Sequence, residues 1–168
     1  MSNRIKQQAQ KNIELYGLHI LHILGDAEGA RFTYSIGLYK TFGHPEIILL
    51  GLKAEVAHSI LNAMADVIRN HHSFNSYLFY DDVLDGYACY MLPVEQQHYD
   101  AYVGQAVSYY GHADFPLLQC VYPSVEGVYP WNKDASESLR WFEPLLGEPD
   151  PTIDFQRSGG SNSPSTAT

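Results

Sequence analysis

The sequence predicts an α+β fold: a single domain in which a mixed or mainly antiparallel sheet is packed by two to four helices. Three observations carry that expectation. Strand-like and helix-like stretches are interspersed without regular βαβ alternation. Residues 54–69 hold one long apolar stripe at helical spacing. The run Ile47-Ile48-Leu49-Leu50-Gly51-Leu52 is apolar throughout, as a strand buried on both faces must be.

Taken in order, Ile5, Ala9, Ile13 and Tyr16 recur at helical spacing, and Gly17 ends a helix over 4–16. Leu18 to Leu24 reads as a strand, Gly25-Asp26-Ala27-Glu28-Gly29 as a turn, and Phe32 to Tyr39 as a second strand, so the two form a hairpin. Thr41-Phe42-Gly43-His44-Pro45 reads as a loop, because Pro45 holds His44 extended. Glu46 to Leu52 is the central strand. In the helix over 54–69, Val56, Ala57, Ile60, Leu61, Met64, Val67 and Ile68 face inward. Glu55, His58, Asn62, Asp66 and Arg69 face away.

Tyr77 to Tyr80 forms a short strand and Gly86 to Val94 a stronger one. A second amphipathic helix covers 95–110, burying Tyr99, Tyr102, Val103, Ala106 and Tyr110, and Gly111 stops it. Pro116 to Tyr122 is the last strand, and 123–131 is a turn-rich loop. The final helix covers 135–146, interrupted by Pro144. Residues 1–155 make the domain. Residues 156–168, polar and without an apolar anchor, read as a disordered tail.

A chain of 168 residues fits one domain, since single domains usually run about 100–150 residues. The polar start and the short apolar runs predict a cytoplasmic protein with neither leader nor membrane span. Cys89 and Cys120 sit in strand contexts and read as buried free thiols.

The net charge of −9 is unevenly spread. Residues 1–53 carry six basic and four acidic side chains, whereas 54–168 carry four basic and fifteen acidic. Between Arg69 and Lys133 there is no Lys or Arg, but there are seven carboxylates and ten of the thirteen tyrosines. Such a surface repels phosphate and argues against nucleic acid, whose binders cluster Lys and Arg. A basic protein is the natural partner. Tyr80, Asp81, Asp82, Asp85 and Tyr87 are the candidate docking residues, phenols for contact area and carboxylates for cations. Half-buried tyrosines on strands would explain the same composition without any partner.

Gly43-His44-Pro45-Glu46 is the most suggestive chemical cluster. It joins a titratable imidazole to a carboxylate in a loop beside the central strand, and Ser35 lies on the preceding strand. Ser35, His44 and Glu46 are therefore the candidate catalytic residues. The competing expectation is an imidazole bound to a turn and a solvated carboxylate. No Gly-x-Ser-x-Gly elbow supports a nucleophilic serine. No glycine pattern suits a dinucleotide or a nucleoside triphosphate; a flavin needs no such motif, but nothing singles one out, and no cofactor is expected. His19 and His22 point to opposite faces of a strand, His58 reads as solvated, and His71 and His72 close a helix. No metal site is expected from this spacing.

The chain resembles the bacterial family known as domain of unknown function 4262. The resemblance rests on Phe32-Thr33-Tyr34-Ser35-Ile36-Gly37-Leu38, on Gly43-His44-Pro45-Glu46 with the run to Leu52, and on His98-Tyr99. It continues through Tyr109-Tyr110-Gly111 and Asp114 to Pro123, and ends near Pro130-Trp131. It covers roughly residues 15–146 and implies a small stand-alone domain without assigning an activity. Tyr122 stands where members often carry Trp. Two functions compete on this reading. One is a module docking on a basic protein, for example neutralising a toxin as an immunity protein does. The other is a small-molecule binder or enzyme around Ser35, His44 and Glu46.

Overall fold

The computed structural model describes residues 3–153; the tail expected from residue 156 lies outside them. The elements run α1 (Asn3–Tyr16), β1 (His19–Ile23), β2 (Phe32–Ile36), α2 (Leu38–Phe42), β3 (Glu46–Leu50), α3 (Ala54–Arg69), β4 (Phe79–Leu84) and β5 (Tyr87–Pro93). A 3-10 turn at Gln96–His98 leads into α4 (Tyr99–Tyr102), α5 (Gly104–Tyr110), β6 (Leu117–Val121) and α6 (Glu137–Phe142). The fold is α+β. One six-stranded sheet in the order β1-β2-β3-β6-β5-β4 is antiparallel except where β3 pairs with β6. Among the described helices only α1 and α3 exceed ten residues.

The sheet divides the core because a strand alternates its side chains. Ile47 and Leu49 of β3 join Ala57, Leu61, Met64 and Ile68 of α3 on one face. Ile48 and Leu50 join Ile13, Tyr99, Val103 and Phe115 on the other. All five residues of β3 are buried, so its unbroken apolar run is what a strand covered on both faces requires. Burying each such side chain contributes about 1.5–3 kcal/mol. A third cluster, centred on Tyr90, Leu92, Val121 and Tyr129, closes the β4 side of the sheet.

Four expectations are corrected. Residues 38–42 form a helix where the end of the second strand and the start of a loop were expected, bracketed by Gly37 at φ 115° and Gly43 at φ 68°; five residues are too few to show a period. The helix expected over 95–110 is a 3-10 turn and two helices. It breaks at Val103, whose ψ of 35° leaves the helical range, ahead of Gly104. The strand expected over 77–80 runs from Phe79 to Leu84 and carries Asp81 and Asp82 within it. The last helix ends at Phe142 because Pro144 holds Glu143 off the helical backbone, at φ −131° and ψ 66°. On the helix stripes, Val56 is 43% exposed and Tyr16 62% exposed. No described helix is long and apolar enough to cross a membrane.

Candidate functional site

β2 and β3 lie side by side, and the chain between them folds into α2. This places the first amides of α2 over the start of β3. Glu46, fully buried, receives them. Its Oε2 accepts from the Gly37 amide at 2.9 Å and the Tyr39 amide at 3.3 Å, and its Oε1 from the Leu38 amide at 3.1 Å. The Ser35 hydroxyl donates to Oε1 at 2.8 Å and itself accepts from the Ile47 amide at 3.0 Å. The Tyr110 hydroxyl, brought across from α5, donates to Oε2 at 2.5 Å.

Glu46 therefore fills, with the chain's own carboxylate, the anion seat that successive backbone N–H groups make at a helix start. Burial raises its pKa, and the donors from Tyr110, Ser35, Gly37 and Tyr39 pull the other way. Burial and the neighbouring carboxylate also push the Tyr110 phenol far up. Five donors occupy both oxygens, leaving no lone pair directed at solvent or at a ligand. Ser35 is likewise buried and committed in both directions.

His44 is turned the other way. Its Nδ1–H donates to the Pro45 carbonyl at 2.9 Å, and its Nε2 accepts from the Phe74 amide at 2.9 Å. The imidazole is thus a neutral bridge between the loop before β3 and the loop after α3, with the Phe74 ring edge-on at 6.1 Å. Burial lowers its pKa, opposed by the Pro45 carbonyl. Both nitrogens serve the backbone, so a proton-transfer role would require the bridge to open. The fold brings Ser35 and Glu46 together as one buried unit, and His44 lies on a different side of the same loop.

His44 lines an open cavity of about 670 Å³ between residues 41–45 and 68–76. Arg69, His71, His72, Ser73, Asn75 and Ser76 supply its polar rim, and no carboxylate lines it. The Arg69 guanidinium is held at the rim by Asp66 at 2.7 Å and by the Tyr16 carbonyl at 2.7 Å. His71 adopts φ 69°, uncommon for a non-glycine residue.

The expected docking residues separate into two groups. Asp81, Asp82 and Asp85 are exposed on β4 and the turn after it. β4 is the last strand of the sheet, and its pairing with β5 shifts between Tyr80 and Leu84. Tyr87 is half-buried, and its hydroxyl donates to the Val125 carbonyl at 3.1 Å, holding the exposed Glu126 loop beside the hairpin. Tyr80 leaves the face: it is 5% exposed, packs its ring 5.0 Å from that of Phe74, and accepts from the Asn75 amide at 2.8 Å. Tyr90, Tyr99 and Tyr129 are buried as well. Of the ten tyrosines in this stretch four are buried, five are half-buried and Tyr77 is exposed, whereas the seven carboxylates are all on the surface. Among the described residues Arg69–Asp66 is the one ion pair.

Two polar residues escaped the sequence reading. Tyr110 sits on the apolar stripe of a helix, so nothing in the sequence marks its hydroxyl as the fifth donor to Glu46. Glu143 is fully buried behind β6. Its Oε1 accepts from the Tyr122 amide at 2.8 Å, and its Oε2 has no hydrogen-bond partner. Burial pushes its carboxyl well above the ordinary range, opposed by the hydrogen bond from the Tyr122 amide. Pro144 beside it was the only available sign, and it marks a bend without marking burial.

The family model described as domain of unknown function (DUF4262) matches residues 12–136. That span contains Ser35, His44, Glu46, Tyr110 and the β4–β5 hairpin, and it stops short of α6 and Glu143. No curated protein and no solved structure matches the chain.

Proposed function

This chain belongs to the DUF4262 family, and from that premise we propose that it is a binding module that docks through its acidic β4–β5 hairpin on a basic protein partner. One observation carries the reading: Asp81, Asp82 and Asp85 are exposed together at the end of the sheet, and none pairs with a cation among the described residues. Unneutralised carboxylates on one edge steer a cationic partner during approach and fix its orientation on contact. The shifted register of β4 disrupts the ladder, a device by which edge strands resist added strands. Recognition accordingly runs through carboxylates on Lys and Arg, with Tyr87 and the Glu126 loop flanking them. Neutralisation of a basic toxin in the manner of an immunity protein is one role that fits this surface.

The test is a pull-down from the native cell, read by mass spectrometry at low and high salt. It compares the natural chain with one carrying Asp81→Lys, Asp82→Lys and Asp85→Lys. The natural chain is expected to enrich a basic protein that the triple variant loses. Equal recovery by both chains at low salt would remove the hairpin from the interface.

A second reading is favoured by the cavity beside His44. In a chain of net charge −9, a cavity whose lining holds Arg69, His71 and His72 and no carboxylate suits a small anionic ligand, which would compete with Asp66 for the Arg69 guanidinium. On this reading His44 braces the wall, Ser35 and Glu46 lie outside the lining and hold the loop from behind, and the site binds without acid–base chemistry. Amide chemical-shift changes confined to 41–45 and 68–76 on adding phosphate or a dicarboxylate would support it. Shifts scattered over the surface would not.

A further inference from the structure

The described histidines include one close pair that neither the hairpin nor the cavity uses. His22, on the sheet-edge strand β1, and His58, on α3, meet on the α3 face of the sheet. His22 Nε2 and His58 Nδ1 are 3.3 Å apart, and the rings are tilted by 33°. The other nitrogen of His22, Nδ1, lies 2.9 Å from the Thr33 hydroxyl on the neighbouring strand, directly across the ladder. A hydrogen bond from Nδ1–H to a fixed oxygen is the arrangement that orients a metal-binding imidazole and leaves Nε2 as its free lone pair.

The spacing is the decisive quantity. At 3.3 Å the contact is just beyond the usual range of an N–H hydrogen bond to oxygen, which runs to about 3.2 Å. Two nitrogens on adjacent corners of a tetrahedron, each about 2.0–2.1 Å from a central ion, stand about 3.3 Å apart. Glu55 precedes His58 by three residues on α3 and so shares its face. Its charge is felt at His22, where it opposes the lowering by burial and by His58. All three side chains are exposed, so an ion reaches them without opening the fold.

We propose that His22 and His58 form a two-imidazole clamp for a borderline transition-metal ion such as Zn²⁺ or Cu²⁺, completed by water and by the Glu55 carboxylate. Binding uses His22 Nε2 and His58 Nδ1. His58, if it carries its proton on Nδ1, moves it to Nε2, so neutral imidazoles bind with no net loss of a proton. Among the described residues no group of three or more histidine, cysteine or acidic side chains is placed to hold a metal ion. The clamp is accordingly a bidentate site whose third protein donor arrives by rotation of Glu55. Imidazole donors suit zinc and copper, and magnesium and calcium prefer oxygen.

Isothermal titration of the full chain with Zn²⁺ alone tests this, with Mg²⁺ as the control metal. His58→Ala is the principal variant because the side chain is exposed. His22→Ala is the second, with its fold checked by circular dichroism. A His71→Ala, His72→Ala double variant removes the other adjacent histidines. The natural chain is expected to bind one Zn²⁺ and to ignore Mg²⁺. Each clamp variant should bind at least tenfold more weakly, Glu55→Gln a few-fold more weakly, and the double variant as the natural chain does. With Cu²⁺, the nitrogen hyperfine pattern in electron paramagnetic resonance should show two imidazoles and lose one in His58→Ala. Zinc affinity unchanged in His58→Ala, or lost only in the His71, His72 double variant, would overturn the assignment and leave a plain hydrogen-bonded pair.

Discussion

Replacing Glu46 by Gln separates a carboxylate that holds the fold from one kept for chemistry. The substitution keeps the shape but turns one acceptor oxygen into an NH₂ donor. If the NH₂ takes the place of Oε1, it faces the Leu38 amide and the Ser35 hydroxyl. If it takes the place of Oε2, it faces the Gly37 and Tyr39 amides and the Tyr110 hydroxyl. The hydroxyls can rotate but the amides cannot, so the better orientation orphans one backbone N–H and the worse one two. A buried donor left unpaired costs about 1–3 kcal/mol. The remaining bonds lose their charge assistance, and the relief from no longer burying a charge offsets part of that. The net expectation is a loss of about 3 kcal/mol, or roughly 6–12 °C in Tm at about 2–4 °C per kcal/mol for a chain of this size. Urea denaturation with an unchanged slope measures it. Tyr110→Phe removes one donor to Glu46 and the acceptor of the exposed Lys40 amide at 3.2 Å, which water can replace, and leaves the Gly37, Leu38 and Tyr39 amides on the carboxylate, so it should lose less, about 1–2 kcal/mol. A Glu46→Gln chain as stable as the natural one, or more so, would refute the structural role. It would mark Glu46 as a strained group retained for function.

The other predictions use the same measurement. His44→Ala should cost about 2–3 kcal/mol, because the Phe74 amide loses its acceptor inside the fold; a loss below about 0.5 kcal/mol would show that the bridge carries no weight. The folded state lowers the pKa of His44 through burial and so favours the neutral ring. The stability it contributes is complete above the ordinary value of 6.5 and is lost as pH falls through the lower folded value. The gap between the natural chain and His44→Ala should therefore narrow below about pH 6.5, and a gap that widens there would contradict the assigned tautomer. Gly51→Ala should destabilise by about 2 kcal/mol or more. Gly51 has φ +85°, and an added Cβ would lie 2.6 Å from the Phe142 carbonyl oxygen; full stability in the Gly51→Ala chain would mean α6 moves freely. Ser136→Ala removes the cap that accepts from the Leu139 amide at 3.0 Å. It should cost about 1 kcal/mol, read as a lower denaturation midpoint.

By itself the sequence determined the quantities that depend on neighbours along the chain. The period of α3, the turn between β1 and β2, the unbroken apolar run of β3 and the two buried thiols all follow from local pattern and hydrophobicity. The uneven charge is also local information, and it placed Asp81, Asp82 and Asp85 on the surface. Tertiary structure alone decided where polar groups find partners, since those partners come from remote segments. Tyr110, sixty-four residues from Glu46, completes the seat that makes a five-residue helix of Leu38–Phe42, and no periodicity records that dependence. The same distance effect took Tyr80 into the core and turned His44 from a free base into a strut between two loops. It also set His22 against His58, thirty-six residues apart. The strand pattern sends His19 and His22 to opposite faces. Only the packing of α3 across the sheet supplies the second imidazole.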